Sequence, residues 1–277
     1  MTKRLCRQIG FGKPLLFWGF SLAFGLSRRT SMCSALSSHI LSLLYNQYYF
    51  IFAILPILLF FCGSVMEDDP IIFVLRYGSY KHYFTSKWRS LGVLCSGLWL
   101  GQITILFVTG AGLSVIKQGW DNFSGSSLLK EIAPLLVKSF PGAWVAVFCA
   151  AVYMLMGYWL IALLTLWLGH FLQRQKAIKV LLALYILTIL SIKLPIMSRP
   201  PFCYLTGINH WVLLLHNLTA GWRFPLTVIV TLLFVVTVIC SIQGGWRSAA
   251  HHHRISKGLP AYYRHILFSA SNFLVLA

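Results

Sequence analysis

The apolar residues of this chain come in long runs almost free of charge, with no period that would leave one face polar. Such runs cannot form the surface of a soluble domain, because water would meet apolar side chains on every side. They cover about 9–27, 46–66, 91–116, 142–172, 177–197 and 224–242. A helix needs roughly 20 apolar residues to cross a hydrocarbon core of about 30 Å, and five of the six come close to that or exceed it. The expected fold is therefore all-α: a polytopic membrane protein with six transmembrane helices, forming a single domain over 1–277. Composition agrees, since only 10% of the residues are charged, against about a quarter in soluble domains.

The first run is the weakest, because Lys13-Pro14 interrupts it. A lysine near a helix end can snorkel to the headgroups, and proline suits a first helical turn. The competing reading is a cleaved signal peptide, with Lys3, Arg4 and Arg7 as its basic start. Against that reading, Arg28-Arg29 follows the apolar core where a small-residue cleavage site should stand.

Lys and Arg in and beside the connections set the orientation. With the N-terminus inside, the inner segments carry fifteen and the outer ones eight. That bias of about two to one favours both termini in the cytoplasm, in the plasma membrane of the cell. Residues 67–90 then form an inner segment. Residues 117–141 and 198–223 are outer loops, the second holding an apolar stretch, His210 to His216, too short to span: a short outer helix or a re-entrant piece. Residues 243–277 form a basic cytoplasmic tail whose apolar end, Ile266 to Ala277, packs on the bilayer or on a partner.

The net charge of +18 would suggest nucleic acid in a soluble protein. Here the basic residues flank apolar runs, which points to anionic headgroups of the lipid bilayer instead. No basic, aromatic-interleaved stripe forms a groove-sized face, so nucleic acid is not an expected partner. Of seven cysteines, Cys62, Cys95, Cys149 and Cys240 fall inside apolar runs, where a thiol packs as a small hydrophobe. Cys33 and Cys203 share the outer side and are read as free thiols, with a bridge as the alternative.

Familiar chemistry is missing. There is no phosphate-binding loop of the Gly-x-x-x-x-Gly-Lys-Ser/Thr type; Gly10-Phe-Gly12-Lys13-Pro14 lacks its first glycine and its hydroxyl residue. The six runs contain no Asp or Glu, although ion-coupled carriers and intramembrane proteases generally rely on such residues. His170 stands alone at the end of the fourth run, and His251-His252-His253 has no second ligand cluster beside it. No catalytic, cofactor or metal site is expected in this chain, and it does not read as an enzyme.

Three features bear on packing and motion. Gly97 and Gly101 have the small-x-x-x-small spacing that lets helices approach closely in lipid, within the bundle or at a dimer seam. Gly110 and Gly112 follow in the same run. Pro56 interrupts the second span and is expected to kink it. Asn122 and Asn217 match the glycosylation pattern on the outer side.

The stretch after the second run is the most informative. Glu67, Asp68 and Asp69, three of the five acidic residues in the chain, precede Pro70-Ile-Ile-Phe-Val-Leu-Arg76-Tyr77-Gly78-Ser79-Tyr80-Lys81. Carboxylates and proline favour a first helical turn, so a short inner-face helix ending at Gly78 is expected, with a plain interfacial loop as the alternative. A kinked span followed by this acidic and then basic-aromatic stretch resembles the membrane subunits of small bacterial ATP-binding cassette (ABC) exporters, of the type-2 fold, found with bacteriocin or lantibiotic export and immunity. The likeness covers the chain in topology and about 46–90 in sequence; the family's second basic residue falls where Tyr80 stands.

The resemblance implies a permease subunit of an ATP-driven exporter that forms the membrane path. It would dock a separate ATP-binding cassette subunit, which carries the ATP, through Glu67, Asp68, Asp69, Arg76, Tyr77 and Gly78. A second permease copy or a paralogue would complete the path. Two other readings stand beside it: a non-transporting membrane immunity or assembly protein that binds a peptide at the bilayer, and a membrane enzyme acting on lipid. The missing membrane carboxylates weigh against the last.

Overall fold

The structure is a computed structural model, and it describes residues 2–29, 35–66, 80–115, 127–193, 208–214, 218 and 223–243. Among these residues the chain is almost wholly helical. The helices are α1 (Thr2–Ile9), α2 (Gly12–Ser27), α3 (Leu36–Leu44), α4 (Gln47–Gly63), α5 (Tyr80–Thr109), α6 (Ser127–Ser139), α7 (Ala143–Phe171), α8 (Arg174–Lys193), α9 (Ile208–Val212) and α10 (Arg223–Gln243). The described residues form no strand; a single parallel bridge joins Ala35 to Ser114. The chain divides into two compact units: Met1–Asp68 with Ser86–Leu232, and Asp69–Thr85 with Leu233–Ala277. All contacts discussed below lie within the first.

Two helical stretches, His82–Thr109 and Ala143–Phe171, are long and apolar enough to cross a membrane, and the number rises to four if each of two bent pairs is one span. In the first pair, α1 and α2 meet at 71°. Gly10 makes that corner at φ +71°, a left-handed conformation that costs other residues energy. In α1, Leu5 and Ile9 face inward while Lys3, Cys6 and Arg7 are exposed. That is the pattern of a helix lying along an interface.

The second pair, α3 and α4, is bent by 50° at Tyr45–Asn46. Asn46 leaves helical geometry there, and its side-chain oxygen accepts from the Tyr49 N–H at 2.8 Å, capping α4. The bend thus lies ten residues ahead of Pro56, where the sequence reading placed a kink. At Pro56 the helix adjusts differently. Phe50–Ile54 widens into a π turn, with the Leu55 N–H reaching back to the Phe50 carbonyl. Widening relieves the crowding that a proline ring imposes on the preceding turn. Helix α3 itself lies where the sequence reading has only a connection. Its Leu36, Ile40, Leu41, Leu43 and Leu44 are all buried.

Helix α7 is the central element. Over half (56%) of its most apolar window is buried, against 33% for α5, and it packs on α3, α4, α8 and α9. The bundle is apolar outside and partly polar inside. Phe11, Leu15, Phe20, Val93, Leu100, Phe148, Met156, Leu182 and Ile186 are exposed, while Ser21, His39, Gln102, Thr109 and Thr165 are almost completely buried. Water would penalise that distribution; lipid would not.

Candidate functional site

A chain of buried side-chain hydrogen bonds crosses the bundle. The Tyr158 hydroxyl on α7 donates to the Gln102 side-chain oxygen on α5 at 2.7 Å. The Gln102 amide N–H donates to the Tyr49 oxygen on α4 at 3.3 Å. The Tyr49 hydroxyl donates to Ser21 Oγ on α2 at 2.7 Å, and Ser21 donates to the Phe17 carbonyl at 2.9 Å. Ser21, Gln102 and Tyr158 have no solvent exposure, and Tyr49 has almost none.

Aromatic rings hold the chain from both sides. Phe24 stacks on Tyr49 with centroids 4.3 Å apart, and Phe17 meets Tyr158 edge-on at 6.3 Å. The chain ties four helices together: α2, α4, α5 and α7.

A second polar contact lies near the end of α5. His39 Nε2 is 3.2 Å from Thr109 Oγ1, and Thr109 donates to the Leu106 carbonyl. The other ring nitrogen, Nδ1, has no hydrogen-bond partner. Arg29 donates to the Ala111 carbonyl at 2.6 Å, and the Leu36 N–H to the Ser114 carbonyl at 3.1 Å. These contacts join the ends of α2, α3 and α5. Tyr45, at the bend, is buried with its hydroxyl unpartnered.

Indole N–H groups make the α5 and α7 contacts specific. Trp99 donates to the Ala151 carbonyl at 2.9 Å, and Trp159 to Ser96 Oγ at 3.0 Å. Trp88 donates to the Trp159 carbonyl at 3.3 Å, and Trp18 of α2 to the Leu98 carbonyl at 3.2 Å. A carbonyl already used in a helix keeps a second lone pair, so these bonds break nothing.

The residues singled out from sequence divide sharply. Glu67, Asp68, Asp69, Arg76, Tyr77 and Gly78 lie outside the described residues, as do Cys33, Cys203, Asn122, Asn217 and the tail beyond Gln243. Pro56 stands in α4 behind the π turn. Gly101 packs directly on the Trp18 indole, so that an added Cβ would collide with it; at Gly97 a Cβ would meet nothing within 4 Å. Gly110 and Gly112 lie past the end of α5, in the turn that carries the chain to Ser114. His170 is in the last turn of α7, its ring edge-on to Phe171. Cys62 and Cys95, both buried, come together with sulfurs 3.9 Å apart.

Several residues that matter to the packing had no signal of their own in the sequence. Gly157 packs tightly against backbone, the Trp211 carbonyl and Val212 of α9. Beside it, Tyr153 donates to the His210 carbonyl. Helix α9 therefore packs halfway along α7. His39 lies in α3, the helix that precedes the second apolar run, and is fully buried there.

Chemically, this arrangement can fix helices and bias their bending. No group of three or more metal-ligating side chains occurs among the described residues. No family model, curated protein or solved structure matches the chain.

Proposed function

We propose that this chain is a multi-pass plasma-membrane protein with six spans and both termini cytoplasmic, and that it serves as the permease subunit of an ATP-driven exporter. The observation that carries the reading is the broken second span. A 50° bend at Tyr45–Asn46 and a π turn ahead of Pro56 sit on either side of Tyr49, the residue through which α4 joins the polar chain. A helix with two weak points and one fixed point between them is suited to hinge motion.

In this reading a separate ATP-binding cassette subunit grips the segment that starts at Glu67, Asp68 and Asp69. Its closure pulls on the end of α4. The pull bends α4 below Tyr49, while α3 stays held through His39 and Thr109. A second permease copy or a paralogue forms the other wall of the path. The energy comes from the partner's ATP.

The test is co-purification from the native host in mild detergent, with and without the triple variant Glu67→Lys, Asp68→Lys, Asp69→Lys. The expected result is an associated ATPase that the variant loses, together with export. An intact wild-type complex containing no ATPase would sink the exporter reading. It would favour the non-transporting immunity or assembly protein.

A further inference from the structure

We infer that Cys62 and Cys95 form a redox lock: their oxidation to a disulfide fastens the end of α4 to α5 and freezes the hinge at the π turn. The two sulfurs stand 3.9 Å apart and share a hydrogen bond. Neither residue has any solvent exposure. Cys62 lies in the last turn of α4 and Cys95 midway along α5. The described cysteines are all free thiols. The bridge rests on this geometry alone, and its effect on bending rests on the hinge reading above.

Position gives the pair its consequence. Helix α4 is already tied to α5 where the Gln102 amide meets the Tyr49 oxygen. From Tyr49 to Cys62 is roughly 20 Å of helix, and that length contains the π turn and Pro56. With one end tied, the segment can swing about its weak point. A covalent link at Cys62 ties the other end as well. Chemistry selects a disulfide over a metal. Thiolates holding a metal would place charge in an apolar interior, which is costly without further ligands or counter-charges. No group of three or more metal-ligating side chains occurs among the described residues. A disulfide is neutral, and the sulfurs need close by only roughly 2 Å to bond. The step is a two-electron oxidation. Both S–H bonds break, one S–S bond forms, and two electrons with two protons pass to the oxidant. Access governs such oxidation, and water-borne oxidants do not reach groups without exposure. The fitting oxidant is a lipid-soluble quinone, which leaves as the quinol. Phe61 and Leu94, the chain neighbours of the two thiols, line a groove of about 260 Å³ whose rim carries the exposed Phe11 and Val93. The groove brings the lipid side close to the pair.

The experiment treats the full-length chain, in mild detergent with added lipid, with tetramethyl-benzoquinone, whose ring has no free position for thiol addition. A phosphine then reverses the reaction. Peptide mapping by mass spectrometry should find Cys62 linked to Cys95 with the loss of two hydrogens, and one quinol should appear per link. The thermal midpoint should rise by about 5–10 °C, as for a bridge closing a loop of this size, and fall back on reduction. Cys62→Ala and Cys95→Ala should each lose the link and the rise; either one that folds serves, and the reversal by phosphine needs no variant. In the native host, export should fall on oxidation in the wild type and not in Cys62→Ala. No link between these two residues, a link with an unchanged or lowered midpoint, or undiminished export from the fully linked chain would each overturn the lock. A missing ATPase would sink the exporter reading and leave the link and the midpoint shift standing, whereas a missing link would leave the exporter reading untouched.

Discussion

Helices α2 and α4 each have two sides, and the sides follow opposite rules. Toward the bundle, Ser21 and Tyr49 enter a hydrogen-bond chain in which each donor named above has an acceptor. Away from it, Lys13, Pro56 and Phe60 line an open groove. A second groove of about 260 Å³, lined by Cys6, Phe11, Pro14, Trp18 and Gly97 among others, lies on the other flank of α2. The difference teaches where specificity resides. The core is held by named hydrogen bonds between helices, whereas the grooves offer shape and charge to whatever surrounds the bundle.

Substitutions can break or sharpen that contrast. The largest effect is expected from Gly157→Leu. Its side chain would strike the Trp211 carbonyl and the Val212 backbone, which cannot rotate away. A loss of about 3 kcal/mol is expected, since overpacking a tight contact costs about that much. The readout is the thermal midpoint in detergent; an unchanged midpoint would mean that 208–214 does not dock on α7.

The next pair tests core against groove on a single helix face. Gly101→Ala must displace the Trp18 indole and its bond to Leu98, at about 1–2 kcal/mol. Gly97→Ala meets open space and should gain up to about 1 kcal/mol from helix propensity. Equal effects of the two would show that the spacing, and not the neighbour, sets the packing.

The smallest effects come from single hydroxyls. Tyr158→Phe should cost about 0.6–1.7 kcal/mol, the range for hydrogen bonds between helices in lipid. Tyr45→Phe should cost nothing, because its hydroxyl is buried without a partner. A larger loss for Tyr45→Phe would mean that its hydroxyl gains a partner once the bend at Tyr45–Asn46 changes.

The sequence made some of this legible for physical reasons. The run 142–172 is unbroken, and α7 occupies Ala143–Phe171. The run 91–116 is offset from α5, which starts at Tyr80 and ends at Thr109. Hydropathy registers the preference for lipid, but Tyr80 to Ser90 is polar and still competent to form helix. Past Thr109 the Ala111 N–H turns to the Val108 carbonyl, and Gly112 follows at φ +88°. Helix α3 was hidden because its serines dilute the apolar signal, and in the structure Ser38 and Ser42 donate back to backbone carbonyls. The polar chain was visible only as scattered Ser, Tyr and Gln within apolar runs. Which of them meet depends on helix rotation and tilt, and no pattern along a single run encodes that. The docking residues from Glu67 to Gly78 stand as a sequence expectation alone.

The corner at Gly10 has a consequence for the surrounding lipid. It leaves α2 with 16 residues, roughly 24 Å of helix, against a hydrocarbon core of about 30 Å. Lys13 at one end and Arg28 at the other bracket this short segment. Within a bilayer, the leaflets would have to pinch toward α2 by several ångströms, at a cost of fractions of a kcal/mol per ångström. Membranes of short-chain lipid would relieve that mismatch, and thick, sterol-like ones would aggravate it.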